Sequence, residues 1–85
     1  MNITLRFFAG VREALGTSQE TIALPPGVGT VGAVRDLLIG RGGAWAEALA
    51  HDRALRMAYN QVMCDPGTEV KEGAEVAFFP PVTGG

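Results

Sequence analysis

Hydrophobic and polar residues alternate through the start of the chain. Ile3, Leu5 and Phe7 share one parity, and Thr4, Arg6 and Phe8 share the other, the period-two pattern of a strand with one buried face. Phe8 is the odd member, a large apolar ring on the polar side. Val11, Ala14 and Leu15 then recur at helical spacing before Gly16, and Thr21 to Leu24 predicts a second strand stopped by Pro25-Pro26-Gly27. Together these read as a hairpin with a short helical turn inserted. Thr30 is placed to cap the main helix, whose apolar set Val31, Val34, Leu37 and Leu38 lies on one face and ends near Gly40-Arg41-Gly42-Gly43. A short second helix around Trp45, Ala48 and Leu49 follows, with Trp45 expected in the core or as a lid on the sheet edge. Leu55 to Tyr59 alternates again, Asn60-Gln61 supplies a turn, Val62 to Cys64 forms a short partner strand, and Asp65-Pro66-Gly67-Thr68 reverses the chain. The last strand, Ala74 to Phe79, begins after Glu72-Gly73. The mixture predicts an α+β domain over residues 1–79, followed by a tail over residues 80–85.

Parity in the last strand separates Val76 and Phe78 from Glu75, Ala77 and Phe79. With the first pair facing the helix, Phe79 faces outward and mirrors Phe8. If the first and last strands are neighbours, both aromatics stand on the solvent face, an apolar patch of the kind that marks a protein interface. Proline has no N–H for a ladder and fixes φ, so Pro80-Pro81 ends the strand and favours a stiff, extended exit. The remaining residues are Val82, Thr83, Gly84 and Gly85. Without Cβ atoms, Gly84 and Gly85 can thread a narrow channel in another protein. The six tail residues reach roughly 20 Å at ~3.3 Å per residue, enough to enter a partner's active site and present the terminal carboxyl group as a substrate.

The ending Phe78-Phe79-Pro80-Pro81-Val82-Thr83-Gly84-Gly85, the opening Phe7-Phe8-Ala9 then Val11-Arg12-Glu13, and Asn60-Gln61 after a strand resemble the small, sulfur-carrying subunits of molybdopterin synthase, sulfur carriers of the ThiS/MoaD type. The similarity spans essentially the whole chain and is strongest at the tail. It implies a ubiquitin-like β-grasp fold: a mixed sheet packed on one main helix, its last strand beside its first, with a flexible Gly-Gly tail. It further implies that Gly85 is adenylated and converted to a thiocarboxylate, which gives its sulfur to a cyclic pyranopterin monophosphate to build the molybdopterin dithiolene. In that scheme Pro80 to Gly84 insert into the active site of a large catalytic subunit, in a heterotetramer of two small and two large subunits. A separate adenylating and sulfurating enzyme consumes ATP, and the small subunit holds no cofactor or metal of its own. Phe8 and Phe79 are the expected docking residues. Two departures from the family pattern are mild: Ala74 where an acidic residue often follows the turn glycine, and a glycine-rich loop from Gly40 to Ala44.

Composition narrows the field. Eighty-five residues make one small domain with one core and little room for an enclosed active site. A net charge of −2 with no Lys/Arg cluster argues against nucleic acid. Neither a signal-peptide pattern nor an apolar run long enough for a membrane span is present, so a cytoplasmic location is expected. Cys64, the single cysteine, cannot form an internal disulfide and is expected to pack structurally. His51 is the single histidine and is expected as an exposed loop residue. Lys71 is the sole lysine against six arginines; one reading is that few amines spare an activated acyl terminus from self-attack, but the base composition of the genome explains arginine over lysine equally well and is the favoured account. Three other functions share these features: a sulfur carrier for thiamine or tRNA thiolation, a protein modifier forming isopeptide bonds, and an interaction domain with an inert tail.

Overall fold

The computed structural model describes residues 1–81; the tail residues 82–85 lie outside the described residues. Among the described residues five strands form one sheet: β1 (Asn2–Phe7), β2 (Gln19–Ala23), β3 (Arg56–Tyr59), β4 (Val62–Cys64) and β5 (Glu75–Phe79), in spatial order β2-β1-β5-β3-β4. Three helices complete it: α1 (Ala9–Leu15), α2 (Val31–Ile39) and α3 (Gly43–Ala48). The central pair β1 and β5 is parallel, with Leu5 opposite Val76 and Phe7 opposite Phe78, while β2, β3 and β4 pair antiparallel. The sheet is therefore mixed, and the first and last strands are neighbours.

The inward parity set forms the floor of the core. Ile3, Leu5, Phe7, Val76 and Phe78 are essentially inaccessible and pack with Val31, Val34 and Leu38 of α2. Thr30 caps α2 as expected, its hydroxyl accepting the Ala33 N–H at 3.1 Å. Gly16 ends α1 at φ 73°, the left-handed cap geometry that glycine adopts at no steric cost. Trp45 packs edge-on against Phe7, centroids 5.5 Å apart, with the Arg41 guanidinium 4.4 Å above its ring.

Four details differ from the pattern reading, the smallest being that the third strand starts at Arg56 and leaves Leu55 outside it. The second strand spans Gln19–Ala23, not Thr21–Leu24, because its polar start is recruited by the ladder with β1, where Gln19 stands opposite Arg6. The first strand stops at Phe7; Phe8 is the N-cap of α1, and Ala9 follows at φ 50°. The last strand starts at Glu75, one residue late, because Ala74 is still in the turn and donates to the Lys71 carbonyl at 3.1 Å. A further feature escaped the pattern entirely. Arg35 is buried in the middle of α2, donating from Nε to the Leu49 carbonyl at 2.7 Å and from Nη2 to the carbonyls of Ala50 and Arg53 at 2.5 and 3.2 Å. It saturates the chain that leaves α3, and its own burial lowers its pKa from the usual guanidinium value.

Candidate functional site: an aromatic groove at the root of the tail

The geometry follows from two strands ending together. Phe7 pairs with Phe78 across the parallel ladder, so Phe8 and Phe79 come next on adjacent strands and both turn to the outer face. Their rings meet edge to face at 6.3 Å, and Phe8 stays 40% exposed, one of the few large apolar side chains so open. The turn at Ala9 is what stops Phe8 from continuing the ladder, a positive φ on a residue with a Cβ.

Between these rings and the start of the tail runs a groove of about 540 Å³, lined by Phe8, Ala9, Ala58, Gln61, Glu75, Ala77, Phe79, Pro80 and Pro81. Its floor is Ala58 and Ala77, opposite each other in the β3–β5 ladder and buried, yet outside the core cluster. Two methyl-sized side chains there leave the depth that the aromatic walls enclose. Arg6, beside Ala77 in the β1–β5 ladder, lays its guanidinium 5.3 Å from the Phe8 ring centre and reaches Glu75 at 3.8 Å. Its Nε is buried without a hydrogen-bond partner among the described residues. The sequence pattern located Phe8, Phe79, Pro80 and Pro81 and missed Arg6, Ala58, Gln61, Glu75 and Ala77 as members of one site. Parity alone put Ala77 and Glu75 on the Phe79 face; adding Ala58 and Gln61 required the register of β3 against β5.

A second groove, lined by Val11 and Ala14 of α1, Ala44 and Ala48 of α3, and Arg53 and Leu55, adjoins the other side of Pro80 and Pro81. The tail thus starts on a ridge between two hollows. Val82, Thr83, Gly84 and Gly85, named from sequence as the inserted and reactive residues, lie outside the described residues.

The chain's residues 5–85 match the model of the ThiS family. Over 83 residues it is 42% identical to the molybdopterin synthase sulfur carrier subunits of Haemophilus influenzae and Escherichia coli, covering 98% of this chain and 99% of each relative. The chain belongs to the ThiS family. Among solved structures it superposes on SAMP1 of Haloferax volcanii with a TM-score of 0.81 at 27% identity, covering all of both chains. It also matches a chain from the complex of subunits 1 and 2 of molybdopterin-converting factor from Helicobacter pylori, TM-score 0.69 at 22% identity over all of both chains, a likeness of fold. The ubiquitin-like β-grasp architecture expected from the sequence is the fold of this ThiS-family chain.

The remaining chemistry-bearing side chains of this ThiS domain lie away from the groove. Cys64 is half-buried on β4, and burial pushes its thiol up from its ordinary value against a smaller pull down from its hydrogen bond with Thr68, which suits a packing residue and not a thiolate nucleophile. His51 is exposed in its loop, as expected, but is not alone: its Nε2 lies 2.6 Å from Asp36 Oδ1. Among the described residues no group of three or more His, Cys, Asp or Glu side chains is arranged to hold a metal. No helix among them is long and apolar enough to cross a membrane.

Proposed function

We propose that this chain is the sulfur-carrier subunit of a molybdopterin synthase, with residues 1–79 as a rigid carrier and residues 80–85 as the reactive arm. One observation carries the reading. The central strand β5 delivers Pro80-Pro81 beside the exposed Phe8–Phe79 groove, in a chain 42% identical over nearly its full length to subunits of that name. A docking patch and the root of the arm are thereby one surface, so a partner that buries the aromatics also receives the tail.

The chemistry at Gly85 follows from its carboxylate. A terminal carboxyl ordinarily titrates at about 3.3–3.7, so it is ionised at neutral pH and has no leaving group. Adenylation converts one carboxylate oxygen into the bridging oxygen of a mixed anhydride, releasing pyrophosphate. A persulfide sulfur then attacks the acyl carbon and AMP leaves with the electron pair; reductive cleavage of the resulting acyl disulfide by a thiol frees the thiocarboxylate. Its sulfur is the nucleophile toward a cyclic pyranopterin monophosphate, and two charged carriers supply the two dithiolene sulfurs. An adenylating enzyme that consumes ATP performs the first of these steps, and a large catalytic subunit, two copies with two of these chains, provides the pocket for the last. Dependence on ATP puts the reaction in the cytoplasm.

The test is the intact mass of the chain after incubation with ATP, an adenylating enzyme and a persulfide donor. Replacement of one oxygen by sulfur, absent when Gly85 is deleted, is the expected result; an unchanged mass with an enzyme active on a known carrier refutes the reading. The likeness to SAMP1 of Haloferax volcanii, a small archaeal modifier protein, favours a second reading, a tag joined to lysines of other proteins. Conjugates on denaturing gels that vanish on deletion of Gly85 distinguish it.

A further inference from the structure

We infer that the fold protects its own activated terminus by holding every primary amine of the described residues at the pole of the sheet opposite the tail, and by using only arginines as cations near the tail's root. The inference rests on the reading of Gly85 as an acyl group that becomes activated. An adenylate or thioester is open to any amine within reach: the nitrogen bonds to the acyl carbon, AMP or thiol departs with the electron pair, the ammonium proton goes to water, and the product is a dead amide. A carrier with an amine close to its own arm would cyclise before sulfur arrived.

The parallel pairing of β1 and β5 decides where the amines sit. Two strands that run the same way start at the same end, so Met1 lies at the pole where β5 begins and the tail leaves from the other. The N-terminal segment is tied down there. Met1 accepts the Leu24 N–H at 2.7 Å, Asn2 accepts the Gly73 N–H at 2.8 Å, and the Asn2 N–H meets the Glu72 carboxylate at 3.1 and 3.2 Å. Lys71 belongs to the same pole, two residues before Gly73, with its N–H donated to the Tyr59 hydroxyl at 3.1 Å and its Nζ 3.9 Å from Glu69. From the level of Gly73 to that of Phe79 the strand rises about 20 Å at ~3.3 Å per residue. Pro80 and Pro81 line the grooves at the far end of that rise, so a tail turning back after Pro81 has four residues, at most about 13 Å, to cover the return. Neither amine is within its span.

The cations close to the root are of another kind. Arg53 lines the groove shared with Pro80 and Pro81, and Arg56 stands opposite Phe79 in the ladder. A guanidinium stays protonated and delocalised throughout the physiological range, so it offers positive charge without a nucleophilic lone pair. Arginine-rich composition accounts for the number of arginines; it does not account for the placement of the amines, which topology sets.

The experiment bypasses any activating enzyme, so its failure is separate from failure of the function proposed above. Residues 1–85 are prepared with a C-terminal thioester by thiolysis of an intein fusion, and intact mass is followed at pH 8. The folded wild type is expected to give only the hydrolysed acid, whereas R53K and R56K give a product lighter than the acid by one water, with peptide mapping locating the new amide. In urea the wild type is expected to form the same kind of product through Lys71 or the α-amine, and K71R to lose the Lys71-linked fraction of it. Internal amide in the folded wild type, or none in either lysine variant, overturns the inference.

Discussion

At the scale of single residues, the site depends on side chains whose job is set by one neighbour each. Phe8 and Phe79 are partly open to solvent, so truncating them is expected to cost little in folding, and the docking role proposed for them predicts that the loss is felt in the complex. Burial of a phenylalanine stabilises by about 1.5–3 kcal/mol, so Phe8→Ala or Phe79→Ala is expected to weaken binding of a large subunit roughly tenfold to a hundredfold in calorimetric titration. Arg35 behaves oppositely. Arg35→Ala strips three carbonyls of their donor, and with about 1.5–3 kcal/mol for hydrogen bonds to a charged group its thermal midpoint is expected to drop by roughly 6–20 °C in a melting experiment. Glu20 and Arg41 form a two-pronged pair, one contact at 2.9 Å, which holds the Glu20 carboxyl below its ordinary value of 4.5 through the Arg41 hydrogen bond first, against burial. A depressed carboxylate contributes stability that is present above its unfolded pKa and lost as pH falls through the folded one. The contribution is modest, under about 1 kcal/mol for a partly solvated pair. Urea midpoints measured from pH 6 down to pH 3 are expected to fall less steeply in Glu20→Gln than in the wild type.

At the scale of elements, turn chemistry explains why the strands pair where they do. Asn60 and Gln61 both take positive φ, 49° and 68°, closing the β3–β4 hairpin with the left-handed geometry that suits its twist. Asn tolerates that region; Gln does so under strain. Gln61→Gly is therefore expected to stabilise the domain by about 0.5–1 kcal/mol in urea denaturation, since glycine removes the Cβ clash there. The same turn carries the groove's edge. The Asn60 side-chain oxygen accepts the Glu75 N–H at 2.8 Å, so the hairpin is pinned to the strand that launches the tail, and register error in β3 would displace Ala58 from the groove floor. Asp65 acts similarly in the next turn, its Oδ1 accepting the Gly67 N–H at 2.8 Å.

At the scale of the whole molecule, one core serves both sheet and helices, which makes folding cooperative. Trp45 is half-buried against the core and packs on Phe7, so its fluorescence and the far-ultraviolet circular dichroism are expected to give coincident urea transitions; divergence of the two curves would mean that α3 melts separately. Period-two and helical spacing were enough to place most elements, the inward set Ile3, Leu5, Phe7, Val76 and Phe78, and the outward turn of Phe8 and Phe79, because a strand's side-chain alternation and a helix's apolar face are local rules. The chain's likeness to sulfur carriers was equally legible, being carried by short contiguous runs, Phe7 to Glu13, Asn60-Gln61 and above all Phe78 to Gly85. Arg35 was not, since a charged residue inside a helical pattern reads as solvated unless distant carbonyls are known to converge on it. Nor was the groove floor, because Ala58 and Ala77 meet only through the register of β3 on β5, and alanine carries no signal of its own. Sequence by itself determined the faces and the breaks, and its family likeness put the last strand beside the first; the tertiary structure decided the full strand order and register, and so brought the aromatics, the alanine floor and Pro80-Pro81 to one end while carrying the amines to the other, because strand order and register come from long-range pairing that no local pattern encodes.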